Sequence, residues 1–272
     1  MYGIELFCPS KGKKLPCYNL VVLIATFDDT KREIPLDIRL WLPKVHPECK
    51  SKPQMMKMMV EALQSEASKR ALSLEGVLFS CDAAYQRSNA LMETVDTAGF
   101  TLIVKVSGNL TFTVDGQRRK GKERRDLLPL EKMRQSSRLG WRYHYKHIVA
   151  VHPTLGTVML IVSAMYNQKH KTYRRILLMT TDLQMQAPAF AYKRRWRVEI
   201  FFKSLKQELR LGVFQLRKLE SIRAHFQLRS LGYLLLSQIR RFGFRLRKRW
   251  SLRKVKRWLR DALTSNMTPK AP

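Results

Sequence analysis

Hydrophobic positions in the first third of the chain recur at the spacings of strands and of one helix. The apolar run YNLVVLIATF (18–27) is rich in β-forming residues, and EIPLDIRLWL (33–42) alternates apolar with polar side chains. The polar turn DDTKR lies between them, so the pair predicts a β-hairpin. KPQMMKMMVEALQSEASKRAL (52–72) sets Met56, Met59, Val60 and Leu63 three and four residues apart, the period of a helix that buries one side. Its methionines read as core packing. GVLFSCDAAY (76–85) predicts a short buried strand that ends in Asp82 and turns into another helix. FTLIVKV (100–106) predicts a further strand, continued by NLTFTVDG after a Gly-Asn turn.

Residues 117–137, QRRKGKERRDLLPLEKMRQSS, carry charge without a period and predict a loop or mobile connection. Beyond them, WRYHYKHIVAVHPTLGTVMLIVSAMY and YRRILLMTT predict three or four antiparallel strands around a Pro-containing turn. From about residue 190 the apolar spacing becomes three and four, and the chain reads as helical almost to residue 262. No internal repeat is visible. Hairpin, helix, strand ending in Asp, further strands, a β-rich stretch and a helix carrying a Glu predict a mixed α/β fold. A β insertion then separates two carboxylates that are distant in sequence.

Charge changes this picture more than size does. The 272 residues contain 52 Lys and Arg against 21 Asp and Glu, a formal net charge of +31. With 45% hydrophobic residues the chain is a folded globule rather than a tail, and the charge asks for a polyanionic partner, most simply nucleic acid. A membrane surface is the rival. No run approaches the roughly 18 apolar residues of a spanning helix, and MYGIELFCPS lacks the apolar core of a signal peptide, so a cytoplasmic location is expected. Cys8, Cys17, Cys49 and Cys81 form no CxxC pair; reduced thiols, not a zinc site, are expected. KGKK (11–14) lacks the glycine spacing of a phosphate-binding loop.

Basic residues concentrate towards the end of the chain, with 22 Lys and Arg against 3 acidic residues between positions 193 and 260. Within AYKRRWRVEIFFKSLKQELRL (191–211), Tyr192, Arg195, Glu199 and Lys206 fall within roughly 60° of arc on one helix face. Val198, Phe202, Leu205 and Leu209 form the neighbouring stripe and would bury against the domain, leaving Glu199 at its margin. Two readings are open. The stretch is a solvated salt-bridge face, or Glu199 is a metal ligand beside cations that hold phosphates. In the second reading a carboxylate from a strand end, Asp82, shares the metal, and two Mg²⁺ ions serve phosphoryl transfer. Asp82 also has a plainer role open to it, as the N-cap of the following helix.

The spacing Tyr192-x2-Arg195-x3-Glu199-x6-Lys206 resembles the Y-(2)-R-(3)-E-(6)-K signature of DDE transposases of bacterial insertion sequences. VLFSCDAAY is similar to the strand-and-Asp segment of that family and REIPLDIRLWLP to its hairpin strand, so the resemblance extends over about 18–235. It implies a ribonuclease H-like mixed sheet with a β-strand insertion and a helical, basic C-terminal region. Residues 1–116 would be the first part of the catalytic core, 117–189 the insertion, 190–239 the core helices carrying the Glu, and 240–272 a basic tail. It implies metal-dependent cleavage and strand transfer at transposon ends. Asp82 and Glu199 would hold Mg²⁺ or a substituting Mn²⁺, Arg195, Lys203 and Lys206 would contact DNA phosphates, and Tyr192 would brace the helix. The partners implied are transposon-end and target DNA and a second copy in a synaptic complex, in the cytoplasm of a bacterium, at its nucleoid.

The departure from that pattern is the first Asp. Asp28 and Asp29 in FDDT look like hairpin-turn residues, because one strand separates them from the helix at 52 where the fold needs two. The expectation is an N-terminally shortened copy whose first Asp lay upstream of Met1. An inactive DNA-binding remnant, able to inhibit a full-length enzyme, is the alternative, and a generic RNA-binding protein a third. RRFGFRLRKRWSLRKVKRWLRDAL (240–263) interleaves cations with Phe242, Phe244, Trp250 and Trp258, which suits DNA backbone binding or, as the rival, a membrane-surface helix. Trp141 and Tyr143 open the insertion. There related enzymes can offer an aromatic to a flipped base, but strand packing is the plainer reading.

Overall fold

A strand is read most easily where alternate residues enter a core, and the computed structural model shows twelve among its described residues. It describes residues 4–8, 13–17, 19–27, 32–42, 44–126, 128–138, 141–167, 170–185, 188–211, 218–245 and 251–264. In chain order these form β1 (Ile4–Cys8), β2 (Lys13–Cys17), β3 (Asn19–Phe27), β4 (Arg32–Trp41), α1 (Lys52–Lys69), β5 (Leu78–Cys81), α2 (Asn89–Thr97) and β6 (Thr101–Lys105). They continue as β7 (Thr111–Val114), β8 (Gln117–Lys120), α3 (Gly121–Asp126), β9 (Arg134–Arg138), β10 (Trp141–His152), β11 (Gly156–Asn167) and β12 (Thr172–Thr180). Four helices follow: α4 (Pro188–Lys193), α5 (Trp196–Gln207), α6 (Leu219–Arg245) and α7 (Leu252–Thr264). The mixed α/β class expected from the sequence is the one observed. Two compact units divide the chain at 51/52 and 195/196, one being Lys52–Arg195 and the other Met1–Ser51 with Trp196–Pro272.

The unit of residues 52–195 is built on one eight-stranded sheet of order β5-β6-β12-β11-β10-β7-β8, with β9 paired to β10. Only β5 and β6 run parallel, joined through α2, and the remaining pairs are antiparallel. The strands of the expected insertion therefore extend the sheet of β5 and β6, through the pairing of β12 with β6. Ile103, Met159, Ile161 and Leu178 form its core on one face, with Ala189, Ala191 and Tyr192 packed against them. On α1, Met55, Met56, Met59 and Val60 are buried, as the spacing of the methionines predicts. Burying one such side chain stabilises by about 2 kcal/mol.

The stretch 117–137 is not the loop that its charge predicts. Asp115 and Gly116, both with left-handed φ, turn β7 into β8, whose four residues are all exposed at the sheet edge. With no side of β8 buried, the sequence has no period to show. The Arg175 guanidinium then gathers the carbonyls of Arg125, Asp126 and Leu128 at 3.1, 3.1 and 2.6 Å, pinning the end of α3 beside β12.

The second unit holds two hairpins, β1 with β2 and β3 with β4, and helices α5 to α7. Strict alternation in β4 is broken where Leu23 pairs with Asp37 but Ile24 pairs with Pro35, which leaves Leu36 as the bulged, exposed residue. Pro35 is tolerated because a bulge relieves a strand of one donor. The extra residue reverses the faces upstream. Glu33, opposite Thr26, consequently shares the side of Ile24, Val22 and Ile38. Those residues join a core of Val22, Phe201, Leu205, Tyr233, Leu236, Leu252 and Val255.

The continuous helix expected from 190 to 262 is interrupted. A turn at 194–195 separates α4 from α5, and α5 ends where Arg210 takes a left-handed φ of 52° and the Leu211 amide reaches back to the Leu205 carbonyl at 2.9 Å. Apolar spacing persists across the turn at 194–195 because α4 packs on the core of Ile103 and Leu178 and α5 on that of Val22 and Tyr233.

One buried polar group sets a pH limit on the sheet. His152 is 2% exposed at the β10–β11 turn, and its Nδ1 accepts hydrogen bonds from the amides of Thr154 and Leu155 at 3.1 and 3.2 Å. Protonating Nδ1 would oppose a proton to two N–H donors, and burial already holds this imidazole below its ordinary value of 6.5. The folded state thus prefers neutral His152. Its contribution is complete above pH 6.5 and is lost as pH falls below that value towards the depressed one. The melting temperature should drop between pH 7 and pH 5, and His152→Asn, which keeps an acceptor for the turn, should flatten that drop in a pH series of thermal melts.

Candidate active site

Asp82 is the first residue past β5. Burial of Phe79 and Cys81 alternates along that strand, and the chain turns at once, the Tyr85 amide donating to the Asp82 carbonyl at 3.0 Å. The carboxylate is left at the surface, 58% exposed, with Oδ1 2.9 Å from Nη1 of Arg195. It is not a helix cap: α2 is capped by Ser88, whose Oγ accepts from the Leu91 amide at 3.3 Å. Arg195 stands in the turn after α4, where its amide donates to the Tyr192 carbonyl at 3.0 Å. Its guanidinium carbon is 5.7 Å from the centre of the Tyr192 ring, a cation–π distance. Tyr192 is itself half-buried against the sheet face of Ile103 and Leu178. The structure thus joins three of the residues singled out by sequence, Asp82, Tyr192 and Arg195, in one unit.

Around this group the other ionisable side chains are held neutral. Burial, with Asp82 adjacent, pushes the Cys81 thiol up to about 12, and burial likewise raises Tyr85 to about 12. Burial raises Tyr192 as well. A thiol so held is not a thiolate at neutral pH, so Cys81 is a poor nucleophile there.

Glu199 and the two lysines belong to α5, in the other unit. Phe201 and Leu205 are wholly buried, with Phe202 and Leu209 packed beside them, and this fixes which side of α5 is wet. Glu199, Lys203 and Lys206 fall within roughly 60° of arc away from that stripe; Glu199 is half-buried and both lysines are exposed. The first turn of a helix favours a carboxylate through the local dipole. The single face expected for Tyr192, Arg195, Glu199 and Lys206 spans the turn at 194–195, so the four do not share one unbroken helix.

The sequence did not reveal what holds the start of α5. Glu33, whose side chain is 8% exposed, accepts a 2.7 Å bond on Oε1 from Arg197 Nη1 and a 2.7 Å bond on Oε2 from the Tyr233 hydroxyl. Burial and the Glu33 carboxylate together raise the Tyr233 phenol. The carboxylate therefore clamps β4, α5 and α6 within two residues of Glu199. Its signal is hidden twice, since the partners lie 164 and 200 residues away and the bulge at Leu36 turns Glu33 inward.

Asp28 and Asp29 lie outside the described residues, as do the side chains of Phe242, Phe244, Trp250 and Trp141. Tyr143 is buried beside Tyr145, their ring centres 5.7 Å apart, which accords with strand packing. Trp258 packs against the core of α5. Asp82 and Glu199 each offer the carboxylate oxygens that a hard cation such as Mg²⁺ takes. Among the described residues no group of three or more His, Cys, Asp or Glu gathers as ligands, and no helix is long and apolar enough to cross a membrane.

A sequence model of the family described as Transposase DDE domain matches residues 8–235. No curated protein matches the chain.

The Glu33 clamp is expected to matter to stability. Glu33→Gln removes the charge from two charge-assisted bonds and should cost about 2 kcal/mol, and Tyr233→Phe about 1 kcal/mol. Because both act on one carboxylate, the double variant should cost less than the sum. Urea unfolding checks this, and an unmoved midpoint in Glu33→Gln would mean that the clamp contributes nothing.

Proposed function

The chain belongs to the transposase DDE domain family, and on that premise we propose that it is an insertion-sequence transposase that cuts DNA at transposon ends and transfers the strand ends to a target. The observation that carries this reading is the Asp82–Arg195–Tyr192 group. A carboxylate at a strand end, set against a guanidinium braced on an aromatic ring, matches three positions of the family's pattern at once. A salt-bridge face alone would explain Arg195 but not why its partner is a carboxylate 113 residues upstream (195 less 82) at the end of β5.

In this reading Asp82 and Glu199 supply the carboxylate oxygens for Mg²⁺, with Mn²⁺ able to substitute. Bound there, the metal would polarise the scissile phosphate and favour the attacking hydroxyl or water. Arg195 engages Asp82 through Nη1, and a planar guanidinium is the side chain best matched to a phosphate oxygen. Lys203 and Lys206, exposed on α5, hold the backbone on the Glu199 side. Tyr192 keeps Arg195 from swinging away. The DNA partners are the transposon ends and the target, brought together by two copies of the chain in the bacterial cytoplasm, at the nucleoid. Asp28 or Asp29 would be the third carboxylate if the set is completed within this chain.

The test is nicking of supercoiled DNA by the purified chain with Mg²⁺ or Mn²⁺. Asp82→Asn and Glu199→Gln should each lower the rate by more than about a hundredfold, since even outer-shell changes at metal sites cost up to that factor, while leaving DNA binding intact. A comparable loss in Asp28→Asn or Asp29→Asn would assign the third ligand. Binding without nicking in the unaltered chain would turn the reading into a non-cutting DNA-binding protein.

A further inference from the structure

The residues beyond 235 lie outside the family match, and they include the most basic helix of the chain. On α7, Leu252, Val255, Trp258 and Leu259 occupy one side. Arg253, Lys254, Lys256, Arg257 and Arg260, all exposed, spread over roughly 160° of the opposite arc. The apolar side is spent inside the protein: Leu252 and Val255 belong to the core that contains Phe201 and Leu205 of α5, with Trp258 and Leu259 against it. A membrane-surface helix must instead offer its apolar side to lipid. What α7 has left to offer is positive charge.

That charge is fixed in place. Lys256 Nζ donates to the Glu208 carbonyl at 2.6 Å, and Arg253 Nε is 3.7 Å from Glu208 Oε1, so the end of α5, two residues past Lys206, is tied to α7. Arg260 takes Asp261, the one acid of the helix, at 3.0 Å. Lys254 and Arg257, three residues apart and so side by side, have no acidic partner among the described residues. Neighbouring like charges on a helix are destabilising by themselves, and a row of phosphates is the complement that removes the repulsion.

We propose that the outer face of α7, centred on Lys254 and Arg257, is a second binding surface for the backbone of double-stranded DNA. It extends the lysines of α5 and acts independently of base sequence. The proposal rests on the reading of the chain as a DNA-acting protein, but not on its cutting DNA.

The experiment compares the full chain with Lys254→Gln/Arg257→Gln. The two lysine and arginine positions of Lys69→Gln/Arg70→Gln, exposed on the other unit, serve as the charge-matched control. A fluorescent 30-base-pair duplex is titrated at several KCl concentrations, and thermal melts check that each variant folds. The α7 variant should bind about tenfold more weakly at 0.1 M salt, with the slope of log K against log salt shallower by about two, near 0.9 per lost phosphate contact. The control should change little, and Lys254→Arg/Arg257→Lys should restore both numbers. Equal losses in control and α7 variant would overturn the proposal, as would an unchanged slope or tighter binding of the unaltered chain to phosphatidylserine vesicles than to the duplex. Nicking separates the two readings. An unaltered chain that binds through α7 yet never nicks would sink the transposase reading alone.

Discussion

The wet and dry sides of α5 are decided by two side chains. Phe201 and Leu205 are wholly buried, met by Val22 of β3, Tyr233 and Leu236 of α6 and Leu252 and Val255 of α7. Each contributes about 2–3 kcal/mol of apolar burial. More important is what their direction forbids. With the stripe at 201 and 205 turned in, Glu199, Lys203 and Lys206 face away from this core and cannot enter it without unwinding the helix. The Glu33 clamp then fixes the first turn through polar bonds that a sliding helix would lose. A rigid helix with one wet edge carrying a carboxylate and cations is what a phosphate-handling site requires, because positioning supplies much of the rate in such chemistry.

Much of this was legible where one side chain period governs a segment. The β3–β4 hairpin, the methionine face of α1, the strand running into Asp82 and the long strands β10 to β12 follow from spacing alone. Glu33 was not legible, since a single bulged residue, Leu36, moves it to the side that spacing assigns to its neighbours. The ordered stretch from β8 to β9 was hidden for the opposite reason: β8 buries nothing, and what holds α3 is a guanidinium 47 to 50 residues further on. The turn at 194–195 escaped because Tyr192 and Leu205 bury against different cores, so the apolar rhythm runs through a break in the hydrogen bonds.

The signature residues fared unevenly for related reasons. Asp82 and Arg195 were each singled out by residue type, one as a metal ligand and the other as a phosphate contact, and the ion pair between them was not foreseen. That Tyr192 braces Arg195 by its ring face, while its own apolar edge packs on the sheet, is a packing fact with no local sequence signal. Spacing also suggested that four residues share one helix face. They share a sequence neighbourhood, but Tyr192 lies on α4, Arg195 in the turn after it, and Glu199 and Lys206 on α5 of the other unit.

Net charge sets the range over which DNA can sense this protein, but not where it binds. At physiological salt the field of exposed cations decays over about 8 Å, so a total of +31 steers encounter and specifies nothing finer. Specific placement comes from cations that cannot relax away, and rigidity here is supplied by apolar packing directly beneath them. Amphipathicity in the sequence favoured a DNA face for 240–263 but kept a membrane face as its rival, because both need a cationic side and an apolar side. The apolar side of α7 is committed to the core of α5, and that commitment, invisible in the order of residues, leaves only the reading in which the charged side does the binding.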